Sequence, residues 1–260
     1  MNEAAASSFA LSGVLAEEFE NALTAKGGFF VGHDVLAEKT GGLPVIAVPL
    51  ARLALQLDRK VKLGDRDIVL TQWFLGSGDW HPWLRPIVTT PVYREVETLL
   101  RAGKHFRTTA MFQKLKLHME MGRPPVRNEI PLDTLEKLEA YAESVLRLAA
   151  SIGELGVLKR GEASIEDMTS NSGLARPLWV EAMESEIGAA ILADGTIVRL
   201  GPGHHRIAAA MFARISTVPV EIRLVHTDWL KRRIAESGLA PWPALIEGIR
   251  TLTQTKDRPT

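Results

Sequence analysis

Apolar residues recur at helical spacing in several separate stretches of this 260-residue chain. Phe19 and Leu23 lie one turn apart within residues 16–25, and Gly27-Gly28 ends the pattern, which predicts a short helix. Three more helices are expected over 92–102, 109–121 and 132–155. In the last, Leu135, Leu138, Ala142, Val145, Leu146 and Ala149 share one face. Gly122 to Pro125 separates it from the helix before, and Gly153 and Gly156 end it.

The remaining stretches follow other rules. Leu43 to Leu50 is rich in Val and Ile but contains Pro44 and Pro49, so it reads as an edge strand. From Asp65 to Pro91, Trp73, Phe74, Trp80 and Trp83 crowd around Gly76, Gly78, Pro82 and Pro86, a punctuation that predicts loop. Residues 161–173 are mostly Ser, Thr, Asn, Glu and Asp, with little to bury. An exposed connection is expected there, dividing a mainly helical part, 1–160, from a second part, 161–260. Beyond it, apolar runs at 187–192 and 196–200 flank Asp194-Gly195. That pair predicts a tight hairpin with positive φ at both central positions. Val218 to Ile222 reads as one more strand, and a helix is expected near 228–236.

Composition narrows the function classes. Lys plus Arg equals Asp plus Glu at 31 each, so the chain lacks the overall basic excess that draws proteins onto DNA or acidic membranes. It has no cysteine, which excludes disulfides, thiolate metal ligands and a cysteine nucleophile. The first residues carry Glu3 before a short apolar run, where a secretory signal needs positive charge. No stretch approaches the about 18 apolar residues that span a bilayer. A cytoplasmic location without membrane partners is the expectation.

The concentrated chemistry lies at Gly201-Pro202-Gly203-His204-His205-Arg206, directly after the second hairpin strand and before a helix of alanines with Met211 and Phe212. A strand entering a glycine turn and then a helix presents the helix's first N–H groups, which lack intrahelical partners, to whatever lies in front. An anion suits that place. Glycines allow close backbone approach, Arg206 offers a forked contact to phosphate oxygens, and His204 and His205 supply donors or proton carriers. A plain helix start with exposed histidines satisfies the same spacing.

Gly203, Arg206 and Ala209 match the G-x-x-R-x-x-A phosphate-binding motif of the ParB and sulfiredoxin-like superfamily, and Gly203-His204-His205-Arg206 matches its G-H-H-R variant. The resemblance extends over roughly Ile187 to Trp229, taking in the hairpin before and the strand after. It implies an α+β fold: a small ParB/sulfiredoxin-like mixed sheet and helix module with a helical N-terminal part beside it. It also implies a nucleoside triphosphate, ATP or CTP, bound with Mg²⁺ by Gly201, Gly203, His204, His205 and Arg206. The reaction implied is a Mg-dependent phosphotransferase or NTPase activity with His204 and His205 as catalytic proton carriers, acting on an unidentified small-molecule or protein acceptor. The alternative is a nucleotide-gated or nucleic-acid-binding adaptor without turnover, with nucleic acid the less favoured partner.

Departures from the family pattern matter. The sulfiredoxin branch places its catalytic cysteine where this chain has His204, so thiol repair is not available. Kinase-like members often carry Asp where Pro202 stands, and no clear match to their catalytic acid is found, although Glu181, Glu184 and Glu186 precede the hairpin. A DNA-partitioning ParB needs a helix-turn-helix after the motif, and about thirty residues follow Trp229.

Charge, two further clusters and a basic run complete the reading. Residues 199–233 carry seven Arg and Lys against two acids, and residues 160–198 the reverse, which suits either two halves that face each other or polyphosphate on one side with Mg²⁺-holding carboxylates on the other. His204, His205, His226 and Asp228 form a second candidate set, for a transition metal. Trp80, His81, Trp83 and Arg85 suit either a stacked base or burial of a long loop. Lys231-Arg232-Arg233 reads as a nucleotide contact or a solvated helix face.

Overall fold

A computed structural model describes residues 13–127, 130–159 and 186–254. The chain forms two compact units. One comprises residues up to Arg85, Gly188–Gly201 and residues from Val220 onward; the other comprises Pro86–Ile187 and Pro202–Pro219. The connection expected at 161–173 lies outside the described residues, as do Glu181 and Glu184.

The first unit is built on a mixed eight-stranded sheet. Its strands are β1 (Gly28–Gly32), β2 (Val45–Pro49), β3 (Leu55–Leu57), β6 (Trp73–Ser77), β7 (Leu84–Pro86), β10 (Ile187–Ile191), β11 (Ile197–Arg199) and β12 (Thr217–His226). Their order is β1-β6-β12-β10-β11-β3-β7, with β2 joined to β12 beside this path, in keeping with the edge position that its prolines predict. A separate hairpin is formed by β4 (Lys60–Leu63) and β5 (Arg66–Val69). Four helices belong to this unit: α1 (Gly13–Thr24), α2 (His33–Thr40), α7 (Thr227–Ser237) and α8 (Pro241–Gln254). Leu57, Leu70, Trp80, Ala190, Val198 and Leu224 form one buried cluster of its core.

Two sequence expectations need correction here. Residues 65–91 are not a loop: they contain β5, β6 and β7, and β6 lies between β1 and β12. The segment Phe74 to Ser77 is buried without alternation, so it lacks the period-2 signal of a half-exposed strand. Gly76 is not punctuation either. A Cβ there would come within 2.8 Å of Phe29 and Trp80 ring atoms, so glycine is what lets these rings close over the strand. The second correction concerns the hairpin β10–β11, which forms as expected but turns differently. Only Gly195 has positive φ, +94°, while Gly195 N donates to Leu192 O and Thr196 N to Asp194 Oδ1. This is a type I turn closed by a left-handed glycine rather than a two-residue turn.

The second unit is largely helical: α3 (Pro91–Ala102), α4 (Ala110–Glu120), α5 (Leu135–Leu155) and α6 (His204–Phe212), with a ribbon of β8 (Val126–Arg127) and β9 (Ile130–Pro131). The first three begin on threonine caps: Thr90, Thr109 and Thr134 accept from the amides of Tyr93, Phe112 and Lys137. Val96, Leu99, Phe106, Phe112, Leu138 and Val145 fill its core. Helix α6 packs against α3 and α5, and its Ala208, Ala209 and Ala210 are fully buried, small enough to let the backbones approach. The architecture is therefore α+β with a mixed sheet. Among the described residues no helix is long and apolar enough to cross a membrane.

Candidate functional site

Gly201 follows β11 in the first unit, and Gly203 to Arg206 open α6 in the second. Gly201 has φ +83°, and its carbonyl accepts a hydrogen bond from Arg199 Nη2, while Arg199 Nη1 donates to Gln56 Oε1 at 2.9 Å. Arg199 is only 2% exposed, and desolvation pulls its guanidinium down to about 10. Its contribution is to hold the strand end in shape.

Gly203 caps α6 in a left-handed conformation, φ 91° and ψ 20°. A Cβ on Gly203 would stand 2.8 Å from Ile187 Cγ1 and 3.0 Å from its Cα, so the turn fits only glycine. Arg206, one turn in, is 12% exposed and places Nη1 3.7 Å from Glu186 Oε2, an ion-pair separation rather than a hydrogen bond. Burial lowers the Arg206 pKa and the Glu186 charge partly restores it. Of the three acids noted before the hairpin, Glu186 is thus the described one beside the motif arginine.

The adjacent histidines separate. His204 is exposed, whereas His205 is partly buried and meets Tyr141, with Nε2 3.0 Å from Oη and the two rings edge to face. Behind Tyr141 lies a polar relay absent from the sequence reading. Tyr141 Oη donates to Glu95 Oε1 at 2.5 Å, and Arg127 closes on the same carboxylate with Nε at 2.8 Å and Nη2 at 2.5 Å. Burial pushes the Glu95 carboxyl up, but hydrogen bonds from Arg127 and Tyr141 outweigh it, so the net shift is down and the group is ionised. An ionised carboxylate cannot donate. Tyr141 must therefore give its proton to Glu95, and His205 Nε2 must donate to Tyr141. Burial first, then the Glu95 charge, raises the Tyr141 hydroxyl well above its usual value, which keeps that proton in place.

A signal for this relay exists in the sequence. Glu95 stands three residues after Val92 and four before Leu99, inside the apolar stripe of α3, and Tyr141 occupies the core stripe of α5 beside Leu138 and Val145. Polar groups in such places are held by partners when buried.

The other candidate clusters resolve structurally. His226 Nε2 donates to Gly78 O at 2.8 Å and its Nδ1 accepts from Asp228 N at 3.1 Å, so this buried ring caps α7. Among the described residues no group of three or more His, Asp or Glu is placed to hold a metal ion. Trp80 is 2% exposed, stacked on Phe29 and packed on His226, so it anchors the segment by burial. His81 pairs with Asp79, and Arg85 with Asp58. Lys231 and Arg233 pair with Asp228 and Glu236 on their own helix, and Arg232 donates to Ala193 O.

No protein-family model, curated protein or solved structure matches the chain.

Proposed function

We propose that this protein is a ParB/sulfiredoxin-like nucleotide-binding protein that takes ATP or CTP with Mg²⁺ at the Gly203–Arg206 turn and transfers a phosphoryl group. What carries the reading is the left-handed Gly203 at the head of α6, with Arg206 one turn in beside Glu186. Helix amides and a guanidinium together favour a polyphosphate. Glu186 is the described carboxylate that would hold Mg²⁺, since magnesium takes one or two carboxylates together with phosphate oxygens and water. Bound there, the ion supplies neutralisation of phosphate charge.

Each residue then has a task. Arg206 neutralises negative charge at the phosphate. His205, held by Tyr141 at Nε2, is one proton carrier, and the exposed His204 is the second. Tyr141 and Glu95 hold the His205 ring in one tautomer, as positioning residues. An unidentified small molecule or protein accepts the phosphoryl group.

A thermal-shift panel of ATP, ADP, CTP and GTP with Mg²⁺, on the wild type and on Arg206→Ala and Arg206→Lys, tests this. Ligand at a hundred times its dissociation constant stabilises by about 2.7 kcal/mol, or roughly 5–10 °C at this chain length. The expected result is a rise with one triphosphate that disappears in the alanine variant while its circular dichroism is unchanged. An equal rise in both proteins, or none with any nucleotide, overturns the proposal. Formation of the nucleoside diphosphate from the bound triphosphate separates a phosphotransferase or NTPase from a nucleotide-gated adaptor.

A further inference from the structure

A cavity of about 400 Å³ opens in the helical unit, lined by residues of α3, α4 and β8, and none of the motif residues takes part in it. That volume falls within the range of small-molecule sites. Its apolar wall includes Met111 and Leu115; its charged lining includes Arg94, Lys114, Glu95 and Arg127.

Pairing among these charges decides what the cavity attracts. Glu95 is already closed by Arg127, so that pair presents no net charge. Nearby cations on the same helices are matched too: Arg101 lies 2.8 Å from Glu97, and Lys116 lies 3.5 Å from Glu120. Arg94 and Lys114 line the cavity and form no salt bridge among the described residues. They come from two different helices, and among the described residues the cavity carries two positive charges without a salt-bridge partner beside an apolar wall. A ligand with a doubly charged head and a small apolar body complements both features.

We infer that this cavity binds a small organic phosphomonoester, with its dianionic phosphate between Arg94 and Lys114 and its organic part over Met111 and Leu115. Arg94 gives phosphate a forked pair of donors, and Lys114 gives a point charge. The inference does not rest on nucleotide binding at the Gly203 turn.

Phenyl phosphate is the probe, titrated calorimetrically into the full chain at low salt beside benzoate, inorganic phosphate and benzyl alcohol. Phenyl phosphate is expected to bind at least tenfold more tightly than benzoate or benzyl alcohol and more tightly than inorganic phosphate. Joint replacement Arg94→Ala with Lys114→Ala is expected to weaken it at least tenfold. Both side chains are exposed, so unfolding curves of the double variant should match the wild type. An unchanged affinity in the double variant, or benzoate equal to phenyl phosphate, overturns the assignment. An ATP thermal-shift arm separates the two sites: the double variant should keep any nucleotide response that Arg206→Ala removes. Loss of phenyl phosphate binding in Arg206→Ala but not in the double variant would place the phosphate at the Gly203 turn and sink the inference.

Discussion

Gly203→Ala adds one carbon to the turn that opens α6, and two separate costs follow from where that carbon lands. The first is conformational. Gly203 sits at φ 91° and ψ 20°, and an L-residue in the left-handed region costs about 1–2 kcal/mol. The second is steric. The new Cβ would lie 2.8 Å from Ile187 Cγ1, which can rotate, but also 3.0 Å from Ile187 Cα, a backbone atom that rotation cannot move. Ile187 is completely buried, so overpacking of about 1–3 kcal/mol applies.

Together these give a loss of about 3 kcal/mol, which lowers the melting temperature by roughly 6–12 °C for a chain of this size. Urea unfolding followed by far-ultraviolet circular dichroism measures the loss, and Gly203→Asn divides it. Asparagine tolerates the left-handed region, so it relieves the first cost and leaves the second intact. Gly201→Ala is the comparison: its φ is similar, but its Cβ meets the Thr71 methyl at 2.9 Å and Arg223 Cδ at 4.0 Å, both side-chain atoms, so a smaller loss is expected. An alanine variant at Gly203 within about 0.5 kcal/mol of wild type, or full recovery with asparagine, would refute the geometry on which the motif reading stands.

Other outcomes follow from the buried groups. Glu95→Gln is expected to destabilise by about 2 kcal/mol at neutral pH, since it weakens charged hydrogen bonds from Arg127 and Tyr141. Because the folded Glu95 pKa is depressed below 4.5, its contribution is complete above that pH and fades as pH falls through the folded value. The wild type and variant curves should therefore converge on acidification, and a constant gap from pH 7 to pH 3 counts against an ionised Glu95. Trp80→Ala is expected to cost about 4 kcal/mol through lost burial against Phe29 and His226, measured by urea unfolding. A loss below about 1 kcal/mol would mean that Trp80 is not the anchor of its segment.

What was legible in the sequence tracks how each residue is exposed. Helices α3, α4 and α5 and the β10–β11 hairpin carry one apolar and one polar face or a marked turn, and their positions could be read directly. Strand β6 could not, because burial of four consecutive residues erases alternation and because Gly76 looks the same whether it bends a loop or admits two aromatic rings. Strand β1 and helix α2 were also unread: Val31 takes φ 59° within the strand, and α2 spans only eight residues.

The candidate site divides along the same line. The turn itself was visible because its glycines stand between an apolar strand and a run of alanines. Its support was not, because each member of the relay looks ordinary alone. Glu95 reads as one more helix carboxylate until Val92, Val96 and Leu99 are seen to place it on the buried stripe, and Tyr141 reads as core until its hydroxyl needs a partner. Each buried polar group on an apolar stripe implies a second one, which implies a third. Followed from Arg127 through Glu95 and Tyr141, that chain of obligations reaches His205. Of the two histidines that the motif offers, buried polarity in α3 and α5 thus reaches one, His205, and leaves His204 exposed.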